Sequence, residues 1–386
     1  MLHVATTIGR ADGISTAVVN MVMAFRRGDL QAKVLTAMYE GAPLHSALTQ
    51  GPDTAVLRAR GHSFASYPFG FLGALSHLAR QVDLVHLHGL WRYPTLVGGP
   101  LLRRLGVPYV LSTHGLLMPE PLRRHALRKA IAYRMAERRT LTGARLIVAG
   151  GAGEAQALRK SAPQVPHAVV RLAVDTEVFR PANESSQTDL RRNRKLVSVS
   201  RLHPIKRLVE LVEAFSRVAD RHQEWELVIV GPEDDPGYRR RVEATAASSG
   251  ISRRVRLIGR LEGVDLVQQY RDANLFVLPS TTESSGLSLV EALAAGVPVI
   301  ATTGAPWAEI VAEGCGWWVD PGVESLAGAL HEAMSTDEHN RKQMAEKARS
   351  LAVREYSLEA LRGRLVETYR DALARGRSPR ASGSSR

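Results

Sequence analysis

The stretch NLFVLPSTTESSGLSLVEALAAGVPVIAT, residues 274–302, decides the fold. A short apolar run, Leu275 to Leu278, is broken by Pro279 and by small polar residues. The apolar spacing then turns helical through LSLVEALAA, and Gly296 with Pro298 stops that helix before a second β-branched run, VPVIAT. Strand, helix and strand so closely spaced make a right-handed crossover between parallel strands. The alternation recurs outward in both directions. LHVAT precedes STAVVNMVMAF, and VDLVHLH, PYVLST and ARLIVA follow in the first half; LVSVS, ELVIV, RVRLIG and GWWVD fill the second. An α/β chain of parallel sheets is the expectation.

A chain of 386 residues exceeds one ordinary core and suits two domains. The polar segment 181–195 lacks apolar periodicity and reads as the linker. The expected division is therefore 1–185 and 186–355, followed by a terminal helix at 356–376 and a disordered basic tail at 377–386. Hydrophobic residues at 45% and charged residues at 23% are a globular composition. The N-terminus, MLHVATTIG, enters a strand at once and no apolar run is long enough to cross a bilayer, so a cytoplasmic protein is expected. The lone Cys315, between two glycines, reads as a small buried side chain.

The net charge of +13 favours an anionic partner. Nucleic acid is not expected, since no aromatic-basic interleaving or helix-turn-helix pattern accompanies the charge. The basic residues are densest in 121–140, with seven Lys or Arg and one Glu. Leu127, Ile131 and Met135 project into the same helical sector as the arginines, so the run reads first as a solvated helix and second as a peripheral membrane contact.

Two segments carry candidate chemistry. In VSVSRLHPIKRL, 197–208, a β run ends in Arg201 and reaches Lys206 through a proline-containing loop. Cations at a strand's carboxyl end suit a diphosphate, because open parallel sheets bind ligands at that edge. In the opening stretch, Ser285, Gly286 and Leu287 start a helix whose free N–H groups attract anions, and Gly286 admits a close approach to the backbone. Glu283 before that helix and Glu291 inside it can accept hydrogen bonds from sugar hydroxyls on either side. Capping and an ordinary helical glutamate are the bland readings of the same two residues.

Other motifs are read as decoys. His86 and His88, two apart in a strand, are expected to face opposite sides and not to share an ion; no metal site is expected. GGAGE, 150–154, lacks a full dinucleotide fingerprint, and Glu233 to Asp235 reads as a solvent loop.

RLHPIK, ESSGLSLVE, ALAAGVPVIAT and GAPWAEIVAEGCGWWVDP together resemble the retaining GT-B glycosyltransferases of family 4, the group 1 glycosyltransferases. ADGISTAVVNMVMAF, DLVHLHGLW and PYVLSTHGLL extend the resemblance into the first half. It implies two Rossmann-like domains facing a central cleft, with the C-terminal helix returning to the N-terminal domain. The second domain would hold a nucleoside-diphosphate-sugar, UDP or GDP most readily, as co-substrate without a further cofactor. The first would meet a carbohydrate or lipid-linked acceptor. By resemblance Arg201 and Lys206 bind the diphosphate, Glu291 the ribose and Glu283 the transferred sugar. Ser285, Gly286 and Leu287 then cradle sugar and phosphate. His114 would stand beside the transferred sugar, Gly13 near the phosphates, and Gly259 and Arg260 near the nucleobase. The sequence departs from the family pattern at Asp12, Ser200 and Ser285. A non-catalytic subunit and a nucleotide-sugar epimerase on the same fold are the alternatives.

Overall fold

A computed structural model describes residues 1–6, 8–9, 13–28, 30–39, 45, 48, 53–59, 68–118, 122, 126–181, 194–283 and 286–375. Ser285, Asp12, the segment 377–386, most of the expected linker and part of the basic run lie outside the described residues.

The chain forms two parallel sheets. In the first, β1 (Leu2–Val4), β2 (Lys33–Tyr39), β3 (Thr54–Ala59), β4 (Val85–His88), β5 (Tyr109–Ser112), β6 (Leu146–Ala149) and β7 (His167–Val169) stand in the order 3-2-1-4-5-6-7. In the second, β8 (Arg194–Val199), β9 (Trp225–Val230), β10 (Val255–Gly259), β11 (Leu275–Leu278), β12 (Val299–Thr302) and β13 (Gly316–Val319) run 10-9-8-11-12-13. Each order reverses direction once, between β1 and β4 and between β8 and β11. Doubly wound sheets open a crevice at such a reversal, outside the strands' carboxyl ends.

Both faces of each sheet are covered, which is why the strands read as continuous apolar runs and not as alternations. In the second unit the helix Leu208–Ala219 buries Leu208, Leu211, Val212, Phe215, Val218 and Ala219, the one-face spacing of an amphipathic helix. On the opposite face Leu289, Val290, Leu293 and the buried Cys315 share a core with Tyr356. Burial pushes the Cys315 thiol up to about 12, consistent with a packing role. In the first unit the terminal helix Leu358–Ala374 packs Leu361, Leu365 and Tyr369 beside Phe25 of the helix Gly13–Arg26.

By contacts the compact units are 1–173 with the helix from Leu358, and 174–357. The division falls before the polar segment that was expected to mark it. Val174 donates from its backbone N to the Tyr356 carbonyl at 2.9 Å, and Arg349 reaches the carbonyls of Thr176 and Ala294 at 2.6 and 2.8 Å. These bonds attach 174–177 to the second unit.

One expectation about orientation fails. Residues two apart in an extended strand share a face, so His86 and His88 point the same way. Their ring centroids lie 4.0 Å apart, and His3, paired with His86 across β1 and β4, joins them.

Candidate active site

The loop after β8 turns through a short 3-10 segment, Pro204–Lys206, whose start is held by the His203 ring accepting from the Ile205 N–H at 3.3 Å. Arg207 follows in the left-handed region, at φ +49°, and opens the next helix. This brings Lys206 to the loop after β11, where the Thr281 N–H donates to the Ile205 carbonyl at 2.9 Å. The β11 loop is in turn fixed to the loop after β12: the Glu283 N–H donates to the Gly304 carbonyl at 3.0 Å, and the Thr302 hydroxyl donates to the Ser280 carbonyl at 2.6 Å. Three loops at one sheet edge are thus cross-linked by their backbones.

Lys206 and Glu283 form a direct ion pair, with side chains only 15% and 11% exposed. The same carboxylate oxygen of Glu283 accepts the Ser280 hydroxyl at 2.7 Å. Sequence reasoning gave the two residues separate ligand groups; the structure joins them to each other. A ligand phosphate that took the ammonium would leave the carboxylate to other donors, so the two can exchange partners.

Gly286 caps the helix Leu287–Ala294 at φ +63°, and a Cβ there would stand 2.8 Å from the Trp307 Nε1. Only glycine fits on both counts. The Trp307 indole N–H, at Nε1, is buried without a hydrogen-bond partner beside this helix start, a feature its sequence position does not reveal. Glu291 lies within the helix and accepts the Tyr270 hydroxyl at 2.6 Å. Burial raises its pKa to about 7 against the opposing effect of that hydrogen bond.

Arg201 stands in the loop after β8, at the strand's carboxyl end. Its guanidinium pairs with Asp234 at 2.5 Å, and its side chain is 56% exposed. The cause is local: Leu202 bridges Glu233, so the chain after β9 passes beside the chain after β8. The segment Glu233 to Asp235 is accordingly no bare solvent loop. Asp235 caps the helix Pro236–Ser248 by accepting from the Gly237 N–H at 2.8 Å. Gly259, at φ +87°, ends β10 and accepts at its carbonyl from the Gly231 N–H at 2.8 Å, while Arg260 pairs with Glu262.

The first unit carries Gly13, at the start of its helix, and His114. His114 follows β5 in the left-handed region at φ +50°. Glu154 holds this turn: one carboxylate oxygen accepts the Thr113 hydroxyl and the Gly115 N–H, both at 2.5 Å, and the other accepts the Gly150 N–H at 2.7 Å. The segment dismissed as a failed dinucleotide motif is therefore the clamp on the histidine turn. The ring of His114 meets His88, Nε2 to Nδ1, at 3.1 Å.

His3, His86 and His88 have ring nitrogens within 4.8 Å of one another, so a shared ion is geometrically open, contrary to the reading that they face apart. His3 and His88 are stacked with an interplanar angle of 14°, and His86 engages Tyr369 at 2.7 Å and Ser112 at 2.8 Å through its two nitrogens.

Comparison with known proteins agrees with this architecture. Residues 11–178 match the model of Glycosyltransferase Family 4 and residues 181–351 that of Glycosyl transferases group 1. The D-inositol 3-phosphate glycosyltransferase of Corynebacterium glutamicum is 30% identical over 325 residues, 78% of this chain and 76% of that protein. Its counterpart in Corynebacterium urealyticum is 35% identical over 216 residues, where the match spans 50% of the relative's length. Among solved structures, Anabaena HepE in complex with UDP superposes with a TM-score of 0.76 at 18% identity, covering 96% of this chain and 99% of that one. Sucrose-phosphate synthase from Thermosynechococcus elongatus gives 0.74 at 19%, covering 97% and 99%. With a match to a family member across more than three quarters of its length, this chain belongs to glycosyltransferase family 4, the group 1 glycosyltransferases, and has their GT-B fold of Rossmann-like units.

Proposed function

We propose that the protein transfers a glycosyl group from a nucleoside-diphosphate-sugar, UDP or GDP, to an acceptor hydroxyl with retention at the anomeric carbon. The observation that carries this reading is the part-buried Lys206–Glu283 pair beside the glycine-capped helix start, at the point where the second sheet reverses its strand order. As the glycosidic bond to the diphosphate breaks, negative charge grows on the leaving oxygen. Lys206 and the N–H groups at Gly286 and Leu287 oppose that charge, and fixed donors of this kind supply the largest share of many rate enhancements. Arg201 joins them by leaving Asp234. Glu283, released from Lys206, orients the sugar hydroxyls, and Glu291 takes the ribose hydroxyls. Attack from the face the diphosphate leaves would retain configuration, with a donor phosphate oxygen accepting the acceptor's proton. The HepE complex with UDP and glucose is consistent with such a donor.

The acceptor in this reading is a carbohydrate or a lipid-linked one, in polysaccharide or glycolipid synthesis. Relatives include an α-monoglucosyldiacylglycerol synthase of Streptococcus pneumoniae, 29% identical over 179 residues. In the first unit Leu127, Ile131 and Met135 form an exposed apolar row, 76%, 52% and 71% accessible, next to Lys129 and Arg134. A cavity of about 510 Å³ between Trp91, Tyr133 and Lys160 adjoins it. An apolar row flanked by cations suits a peripheral contact with an anionic bilayer. Among the described residues no helix is long and apolar enough to cross a membrane.

The test is a thermal-shift screen with UDP-, GDP- and ADP-sugars, followed by product analysis at the anomeric carbon. A donor that binds raises apparent stability by mass action. Donor hydrolysis at the same background level in the wild type and in Lys206→Ala, with no transfer to any acceptor, would instead favour a non-catalytic subunit.

A further inference from the structure

The first sheet buries a row of imidazoles that the proposed chemistry does not use. His3 is 0% exposed and His88 2%, and their rings meet at 3.0 Å, Nδ1 of His3 to Nε2 of His88. His88 then reaches His114 through its other nitrogen at 3.1 Å. Three rings thus run from the interior of β1, across the end of β4, to the turn after β5. Two of these residues belong to the strands at which the first sheet reverses direction.

Proton counting restricts this chain to two states. Each nitrogen-to-nitrogen contact needs one hydrogen, and a neutral imidazole carries only one. A His88 receiving from both sides would be an imidazolate, and one donating to both would be a buried cation. Burial holds His3 near about 3 and His88 well below the usual histidine range, so these two rings stay neutral at pH 7. Either His3 and His88 both carry their proton on Nδ1 and the bonds point toward His114, leaving its Nε2 bare, or both carry it on Nε2 and the bonds point away. The far end decides. Nε2 of His3 is buried and has no partner. Pointing away would strand an N–H donor there, whereas pointing toward His114 leaves only an unused acceptor, the rarer and the commoner defect respectively.

We propose that His3 and His88 are positioning residues that occupy Nε2 of His114 and place its proton on Nδ1, making His114 a hydrogen-bond donor through Nδ1 and not a base. The proposal rests on the reading of His114 as a neighbour of the transferred sugar. Its function there would be to donate to a sugar hydroxyl while the charge on the departing diphosphate grows. Glu154 holds the backbone of the turn, and the imidazole chain sets the ring.

Nitrogen-15 NMR of the histidine side chains in the full chain, assigned with His114→Gln, tests this directly. Protonated Nδ1 and bare Nε2 in His114 is the expected result; the reverse pattern overturns the proposal whether or not any donor is turned over. The glycosyl-transfer reading fails separately, by absence of transfer with every donor screened. His88→Leu should release the His114 tautomer and lower kcat by at least about tenfold with donor KM moved less than about threefold. His88→Gln, whose amide can still donate to Nε2, should restore most of the rate. Equal losses in both variants with an unchanged His114 tautomer would show a merely structural role. If His88→Leu does not fold, His3→Phe serves in its place, with His88 and His114 expected to become tautomer mixtures; a single unchanged tautomer overturns the relay. Stoichiometric zinc retained by the wild type and lost in His3→Phe would likewise overturn it, assigning the rings to a metal.

Discussion

At the carboxyl end of β4 the side chains that meet are imidazole rings, His3, His88 and His114, with a buried carboxylate holding backbone N–H groups. At the carboxyl end of β8 they are charged: Lys206 with Glu283 and Arg201 with Asp234. Both sets sit where a parallel sheet reverses direction, yet one is hydrogen-bonded into a single arrangement and the other is made of ion pairs that can change partners. The difference fits the roles proposed. A group that orients a neutral sugar gains from fixed geometry, whereas groups that oppose a growing charge need charge of their own.

The largest effect should come from the charged edge. Lys206→Ala is expected to lower the transfer rate by about 10²–10³, the loss usual for one fixed donor at a developing anion. Steady-state kinetics with the donor found in the screen would measure it. An effect under about fivefold would mean that the helix start alone carries the leaving group, and that the charged edge is less distinct from the neutral one than described.

At the neutral edge the corresponding loss should be in stability. Glu154→Ala removes the acceptor of three donors, two of them backbone N–H groups. Leaving buried donors unpaired costs about 1–3 kcal/mol each before water relieves any, so a total of about 3 kcal/mol is expected from chemical denaturation. A change below about 1 kcal/mol would show that the turn bearing His114 does not depend on the clamp.

Gly286→Ala tests the backbone of the charged edge. A side chain at φ +63° meets left-handed strain of about 1–2 kcal/mol, and the Cβ presses on the Trp307 ring. Donor affinity should fall along with the melting temperature, because the same N–H groups would be displaced. Weakened stability with unaltered donor affinity would remove the helix start from the binding site.

How much of this was readable in the sequence depends on distance along the chain. The βαβ unit at 274–302 was legible because period, glycine and proline fall within one window, and so were the two cations after β8. The partners of those cations were not. Asp234 is brought to Arg201 by the Leu202–Glu233 bridge, and Tyr270 to Glu291 by packing in the second core, and neither contact leaves a local signal. The imidazole chain was half legible: strand period alone puts His86 and His88 on one face, and the opposite reading inverted that rule. His3 and Tyr369 enter only through strand order and the return of the terminal helix.

The smallest expected effect compares two glutamates, one in each unit, whose pKa desolvation raises alike to about 7. Glu137 accepts from the Trp91 N–H at 2.6 Å and from Thr95; Glu291 accepts from Tyr270. A carboxyl with a raised folded pKa keeps its proton on folding, so its contribution is full below the unfolded value of 4.5 and is lost as pH rises through about 7. Wild-type stability should therefore decline across that window. Glu291→Gln cannot ionise and should flatten the decline by on the order of 1 kcal/mol, while Glu137→Gln should do the same from the first unit. Melting each variant at pH 5 and pH 8 separates the two. If only Glu291→Gln flattens the profile, Glu137 stays ionised through its bonds to Trp91 and Thr95, and the second unit alone holds a carboxyl poised to titrate near neutrality. Ionised Glu291 accepts hydrogen bonds from ribose hydroxyls better than its acid form, so the same titration should appear as donor affinity that rises from pH 5 to pH 8 in the wild type and not in Glu291→Gln.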